Sequence, residues 1–112
     1  MLPKKNRLKK KKDFEKVFKS GKGFRDDSLI LKVVKNNSGQ IRFGFIVSQK
    51  ISKKATIRNK IKRRISEAIR IRMERFKKGL DGILITLPGI EAKDYWEIDK
   101  TVEKLFKKAK IL

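Results

Sequence analysis

Seven of the twelve residues from Lys53 to Arg64 are cations: Lys53, Lys54, Arg58, Lys60, Lys62, Arg63 and Arg64. Side chains of this kind bind phosphate. The guanidinium groups of Arg58, Arg63 and Arg64 can each grip two phosphate oxygens through parallel N–H bonds, and the amide of Asn59 can donate and accept toward a backbone or a base edge. Catalytic chemistry of the protein's own is poorly supplied. The chain contains no His and no Cys, which excludes catalytic triads, imidazole acid–base chemistry, the common zinc sites and disulfide partners. Asp26 and Asp27 are adjacent carboxylates, but neighbouring side chains diverge in a strand, so a turn or helix-edge role suits them better than a Mg²⁺ site. No catalytic residue and no protein-bound metal is expected.

A helix must position these cations. Ile57, Ile61, Ile65, Ala68, Ile69, Met73 and Phe76 recur at three- and four-residue spacing, which predicts one long amphipathic helix. Thr56 is its candidate cap, and Lys77, Lys78 and Gly79 read as its basic last turn and left-handed stop. At about 100° per residue, Lys60, Arg63, Arg64 and Arg70 cluster away from the apolar stripe while Arg58 and Lys62 lie along its border. Cations at a helix N-terminus oppose the macrodipole at about 0.3–1 kcal/mol each. Folding stability does not select such a placement, and the bland reading of a solvated charged face leaves it unexplained.

The charge distribution points the same way. In 112 residues there are 33 Lys plus Arg against 12 Asp plus Glu, a formal charge of +21, and the self-repulsion this creates is relieved by a polyanionic partner. No acid occurs between Asp27 and Glu67, a stretch holding eleven Lys or Arg. Phosphate backbones attract such a field whatever their base sequence. The length suits a single domain, 1–112, whose residues 1–12, with Lys4, Lys5, Arg7, Lys9, Lys10, Lys11 and Lys12, read as a basic, flexible arm. No stretch approaches the roughly 20 apolar residues of a membrane span, Met1 to Lys12 lacks a signal-peptide core, and the absence of Cys suits a reducing compartment. The expectation is a cytoplasmic protein with no membrane association.

The remaining elements read as follows. Asp13 can cap a short helix carrying Phe14, Val17 and Phe18 on one face and ending at Ser20 and Gly21. Leu29 to Val34 alternates but is apolar on much of both faces, and Ile41, Phe43, Phe45 and Val47 alternate with Arg42, Gly44, Ile46 and Ser48. These two runs, separated by Asn36 to Gly39, predict a hairpin. Lys22 to Arg25 suits a short edge strand, and Ile83 to Leu87 suits an interior one. A final helix opens on Asp94 and Glu97 in capping-box spacing and buries Tyr95, Ile98, Val102, Leu105, Phe106 and Ala109. The order α-β-β-β-α-β-α describes an α+β two-layer sandwich with helices packed on a small mixed sheet.

Phe14 and Phe18 admit two readings at this stage. Aromatics at helical spacing usually serve as core, whereas in an exposed groove they would stack on bases.

Three blocks in order resemble the bacterial ribonuclease P protein family across nearly the whole chain. They are Arg7-Leu8 with Phe14, Val17, Phe18 and Gly21; Gly44-Phe45-Ile46-Val47-Ser48-Gln49-Lys50; and Lys54-Ala55-Thr56-Ile57-Arg58-Asn59-Lys60-Ile61-Lys62-Arg63-Arg64. The third, which resembles the family's Arg-Asn-Arg signature, is the specific one. The resemblance implies a left-handed crossover through the long helix, against the usual right-handed rule. It also implies two RNA surfaces. Lys53, Lys54, Arg58, Asn59, Lys60, Lys62, Arg63 and Arg64 would face a catalytic RNA. A cleft between the first helix and the sheet, with Phe14, Phe18, Lys32, Arg42, Ser48 and Lys50, would hold the single-stranded 5′ leader of precursor tRNA.

Several positions depart from the family pattern. Lys60 replaces the signature's last Arg, and Gln49 stands where a cation is common. Lys32 occupies a position often aromatic, and Thr86-Leu87 lacks a frequent basic residue. The implied function is that of an accessory subunit, one per RNA, in an endoribonuclease whose Mg²⁺ ions are held mainly by the RNA. A ribosomal-type RNA-binding module would share the fold class and charge, and the Arg58-Asn59-Lys60 block with its flanking motifs separates the two.

Overall fold

Strands that are apolar on both faces belong in the middle of a sheet, and this chain obeys that rule. In the structure, a computed structural model describing residues 2–112, the strands are β1 (Lys22–Asp26), β2 (Leu29–Lys35), β3 (Ile41–Ile46) and β4 (Leu80–Thr86). Their spatial order is β1-β2-β4-β3, so the two most apolar strands are central. β1 and β2 form an antiparallel hairpin through Asp27 and Ser28, where Asp27 adopts φ 48° as a tight two-residue loop requires. β2 runs antiparallel to β4, from Leu29 opposite Thr86 to Lys35 opposite Leu80, and β3 runs parallel to β4.

The hairpin predicted between β2 and β3 does not form, because β4 lies between them. The connecting loop is pinned to that intervening strand. Asn36 donates from its side chain to the Gln40 carbonyl at 3.0 Å and to Asp81 at 2.7 Å, and its backbone N–H reaches the Gly79 carbonyl at 2.8 Å.

The helices are α1 (Lys11–Ser20), α2 (Ala55–Arg70) and α3 (Tyr95–Lys108). α2 joins the adjacent parallel strands β3 and β4, and its Ile61, Ile65 and Ile69 pack with Val102, Leu105 and Phe106 of α3 over Leu31, Phe43 and Leu84. Phe43, Phe76 and Phe106 meet with ring centroids 5.0–5.6 Å apart at the centre of this core. The α+β sandwich expected from the sequence is therefore present, with one addition. α1 covers the opposite face of the sheet, where Val17, Leu8 and Ile83 form a second, smaller buried cluster.

Helix ends depart from the sequence reading. Lys10 and Lys54, neither bonding through its side chain, occupy the cap positions of α1 and α2, so Asp13 and Thr56 fall inside the first turns. α2 stops at Arg70, and Met73–Arg75 forms a separate 3₁₀ turn. Just past this stop, Arg72 folds its guanidinium back to the Ala68 carbonyl at 2.7 Å and across to Asp99 at 2.6 Å and Glu103. Gly79, with φ 81°, serves instead to swing the chain into β4. The capping box of α3 forms as predicted, with Asp94 and Glu97 each accepting the other's backbone N–H.

Residues 2–10 are not a loose arm. Leu2, Asn6 and Leu8 are buried, Asn6 donates from Nδ2 to the Ile41 carbonyl at 2.7 Å, and the Leu8 N–H bonds the Phe43 carbonyl at 2.9 Å. The segment thus lies along β3 and covers an edge that would otherwise invite pairing, while Lys4, Lys5, Arg7, Lys9 and Lys10 stay exposed.

Candidate nucleic-acid interface

On α2 the isoleucines are inside and the cations outside, as the periodicity predicts. Ile61 and Ile65 are buried, whereas Lys53, Lys54, Asn59, Lys60 and Arg63 are exposed and Arg58, Lys62 and Arg64 are half-buried at the flanks. Two of the flanking guanidiniums are held in place by carbonyls: Arg58 donates to Ser52 at 2.9 Å and Arg64 to Lys93 at 2.8 Å. Each bond uses one of five N–H groups, so orientation is gained without cancelling charge. Thr56, Asn59, Lys62 and Arg63 line a groove of about 440 Å³, the size of a small ligand group rather than a deep cavity. Arg70 is different. It is paired with Glu67 through two bonds of 2.5 and 2.9 Å, and its guanidinium holds that carboxyl below the ordinary range. The free positive ridge therefore runs from Lys53 to Arg64.

A second feature lies on the other face of the sheet. The Phe14 ring sits over Gly44, Val17 sits in the buried cluster with Ile83, and Phe18 remains 41% exposed with the Lys32 ammonium 5.6 Å from its ring centroid. Lys32, Ile83 and Gly44 are direct neighbours across β2, β4 and β3, and so are Ile30, Ile85 and Ile46, one register step further on the same face. Ile30, Ile46 and Ile85 are half-buried, giving an apolar floor beside α1. Sequence reasoning missed these three, although the apolarity of β2 on both its faces was their signal. Ser48 and Lys50 are exposed in the turn after β3, where the Ser48 hydroxyl accepts the Lys50 N–H at 3.3 Å.

Arg42 does not join them as a free cation. Its guanidinium forms a two-pronged pair with Asp81, at 2.8 and 2.7 Å, and lies 3.7 Å from Asp13. Asp81 is only 2% exposed, and its hydrogen bond raises the Arg42 pKa further above its ordinary value. Arg42 thus ties the start of α1 to β3 and β4, a structural task beside the leader contact expected of it.

Asp27 takes the turn position expected, whereas Asp26 is the last residue of β1 rather than at a helix edge. Asp26 pairs with Lys108 at 3.3 Å and Asp27 with Lys93 at 3.7 Å. Among the described residues no three side chains of metal-ligating type converge, and no helix is long and apolar enough to cross a membrane.

Comparison with known proteins identifies the family. The profile of the Ribonuclease P family matches residues 2–110. The chain is 39% identical over 112 residues to the ribonuclease P protein component of Synechocystis sp., covering 99% of this chain and 90% of the relative. Its fold matches the RNase P protein of Staphylococcus aureus with a TM-score of 0.86 at 29% identity, covering 95% of this chain and 96% of that one. The RNase P protein of Thermotoga maritima matches with a TM-score of 0.82 at 30% identity, over 91% of this chain and 96% of that one. Alike in sequence over nearly its full length and alike in fold, the chain belongs to the ribonuclease P protein family.

Proposed function

We propose that this protein, as a component of ribonuclease P acting in tRNA processing, docks the outer face of α2 on the catalytic RNA and holds the 5′ leader of precursor tRNA beside α1. The observation that carries the reading is the division of α2 into a buried isoleucine stripe and a ridge with no acid before Glu67. Contacts from Arg58, Asn59, Lys60, Lys62, Arg63 and Arg64 to phosphates fix position without reading sequence, and Lys53 and Lys54 extend them. Phe14, Phe18 and Lys32, with the floor of Ile30, Ile46 and Ile85, suit an unpaired strand whose bases stack while its phosphates meet ammonium groups.

The division of labour follows from the chain's inventory. Mg²⁺ ions, held mainly by the RNA, supply the activated water and stabilise the leaving oxygen. The protein's residues bind and place the substrate. A product tRNA has no leader to occupy the cleft, so the protein favours precursor over product. One protein per RNA and a cytoplasmic location complete the proposal.

The test is reconstitution. The protein is mixed with ribonuclease P RNA and end-labelled precursor tRNA at low Mg²⁺. Faster leader release than the RNA gives alone supports the reading, and unchanged release from RNA that has bound the protein contradicts it.

A further inference from the structure

Trp96 is the chain's single tryptophan, and at 75% exposed it is the most open large apolar side chain among the described residues. Neither packing nor helix formation calls for it. The buried face of α3 runs through Ile98, Val102 and Leu105, and at about 100° per residue Trp96 lies roughly 160° around the helix from Ile98. Tryptophan is also a weaker helix former than the Lys and Glu that fill the other outer positions.

The ring nonetheless has one contact to the body of the protein. It packs edge-on against Tyr95, with centroids 5.2 Å apart and planes at 76°, and Tyr95 itself is packed against the main core. Three residues earlier, the Lys93 carbonyl accepts the Arg64 guanidinium at 2.8 Å, so the start of α3 is bonded to the cationic ridge of α2. Lys60, Arg64 and Lys93 share a groove of about 410 Å³ with Glu91 and Asp94. Glu91 accepts the Gly89 N–H at 2.6 Å and Asp94 the Glu97 N–H at 2.9 Å, and the Lys93 ammonium lies 3.7 Å from both Asp27 and Glu97, so among the described residues Lys60 and Arg64 are the groove's cations without an ion pair. The start of α3, which carries this open ring, is thus tied to the α2 surface that bears Lys60 and Arg64.

We propose that Trp96 is a stacking platform for one unpaired base of the ribonuclease P RNA, in a strand whose phosphates lie on Lys60 and Arg64. The assignment rests on the docking of α2 described above and extends that surface onto α3. Base–aromatic stacking needs only an open ring face and tolerates any base. A second copy of the chain is disfavoured by its own charge of +21. A protein partner would need a surface of about 1,200–2,000 Å², and a single exposed ring does not provide its apolar centre.

The single tryptophan makes the test direct. Emission and acrylamide quenching of Trp96 are measured as the full-length protein is titrated with its ribonuclease P RNA, while complex formation is followed by gel shift. Emission should change and acrylamide access should fall as the complex forms. Trp96→Ala should keep the wild-type melting temperature yet bind about 5- to 150-fold more weakly, the equivalent of about 1–3 kcal/mol, and Trp96→Phe should recover part of that loss.

A complex that depends on Arg63 and Arg64 but leaves Trp96 as open to acrylamide as in the free protein overturns the stacking proposal and leaves the docking of α2 standing. A wild-type protein that fails to bind the RNA at all overturns both. Quenching on concentrating the protein alone, or with precursor tRNA in the absence of the catalytic RNA, assigns the ring to another occupant and overturns the proposal.

Discussion

The Phe14 ring occupies the space where a side chain at Gly44 would begin. A Cβ built on residue 44 would stand 2.5 Å from Phe14 Cζ and 2.7 Å from Cε1, well inside contact distance. Glycine is therefore what lets α1 settle against β3, and Gly44→Ala must push the ring aside. The expected cost is about 1–3 kcal/mol of stability, as for other overpacked sites, together with weaker binding of leader-bearing tRNA. Phe18 is more exposed, so Phe18→Ala should leave the melting temperature nearly unchanged while weakening precursor selectively. Comparing affinities for precursor and mature tRNA checks both substitutions, and an equal loss for the two RNAs would remove the leader from this cleft.

Arg42 separates a structural role from a binding role. Removing it leaves Asp81, 2% exposed, with its two-pronged partner gone. Truncating one member of such a pair typically destabilises by about 3–5 kcal/mol. Arg42→Ala should accordingly lower the melting temperature strongly, and at a temperature where it remains folded it should bind precursor and mature tRNA in the wild-type ratio. A selective loss of precursor without a change in melting would reverse the assignment.

Acid stability should report the link between α2 and α3. The Arg72 guanidinium, with Lys107 and Arg75 nearby, holds the Glu103 carboxyl down at about 2, against an ordinary value of 4.5. A depressed folded-state value means that the pair contributes fully above the ordinary pKa and is lost as pH falls from about 4.5 toward about 2. The melting temperature of the wild type should fall across that window. Glu103→Gln should be less stable at neutral pH and show a shallower fall, and identical slopes for the two proteins would show that Glu103 carries no part of the response.

How far the sequence reveals this molecule depends on the range of the interactions involved. The capping box of α3 involves residues three apart, and the isoleucine stripe of α2 repeats within two turns, so both are read correctly from spacing. The β2–β3 hairpin is misread because nothing local announces that Leu80–Thr86 will enter between them. The two-faced apolarity of β2 demanded two neighbours but did not name them. The inward turn of Arg72 just past α2 is hidden for a similar reason, since its partners, Asp99 and Glu103, lie 27 and 31 residues away.

The candidate surfaces divide along the same line. Lys53 to Arg64 is a local run leading into and along the start of one helix, so its spacing is legible without distant partners. Arg42 is counted as a free cation because its partner Asp81 is 39 residues distant. The cleft floor of Ile30, Ile46 and Ile85 draws one residue from each of three strands, and only the register across β2, β4 and β3 brings them together. The basic run before α1 looks unstructured by composition. Its alternate residues Asn6 and Leu8 are nevertheless tied to β3 by hydrogen bonds to the carbonyls of Ile41 and Phe43.

The most direct measurement is the salt dependence of binding to ribonuclease P RNA, made for the wild type and for Arg63→Ala/Arg64→Ala. Neutralising six to ten phosphates should weaken the wild-type complex by about 10³- to 10⁵-fold between about 50 and 200 mM salt, and the double substitution should bind more weakly with a slope reduced by about one unit for each lost cation. A wild-type affinity indifferent to salt, or a doubly substituted protein with an unaltered slope, would place the RNA somewhere other than the outer face of α2.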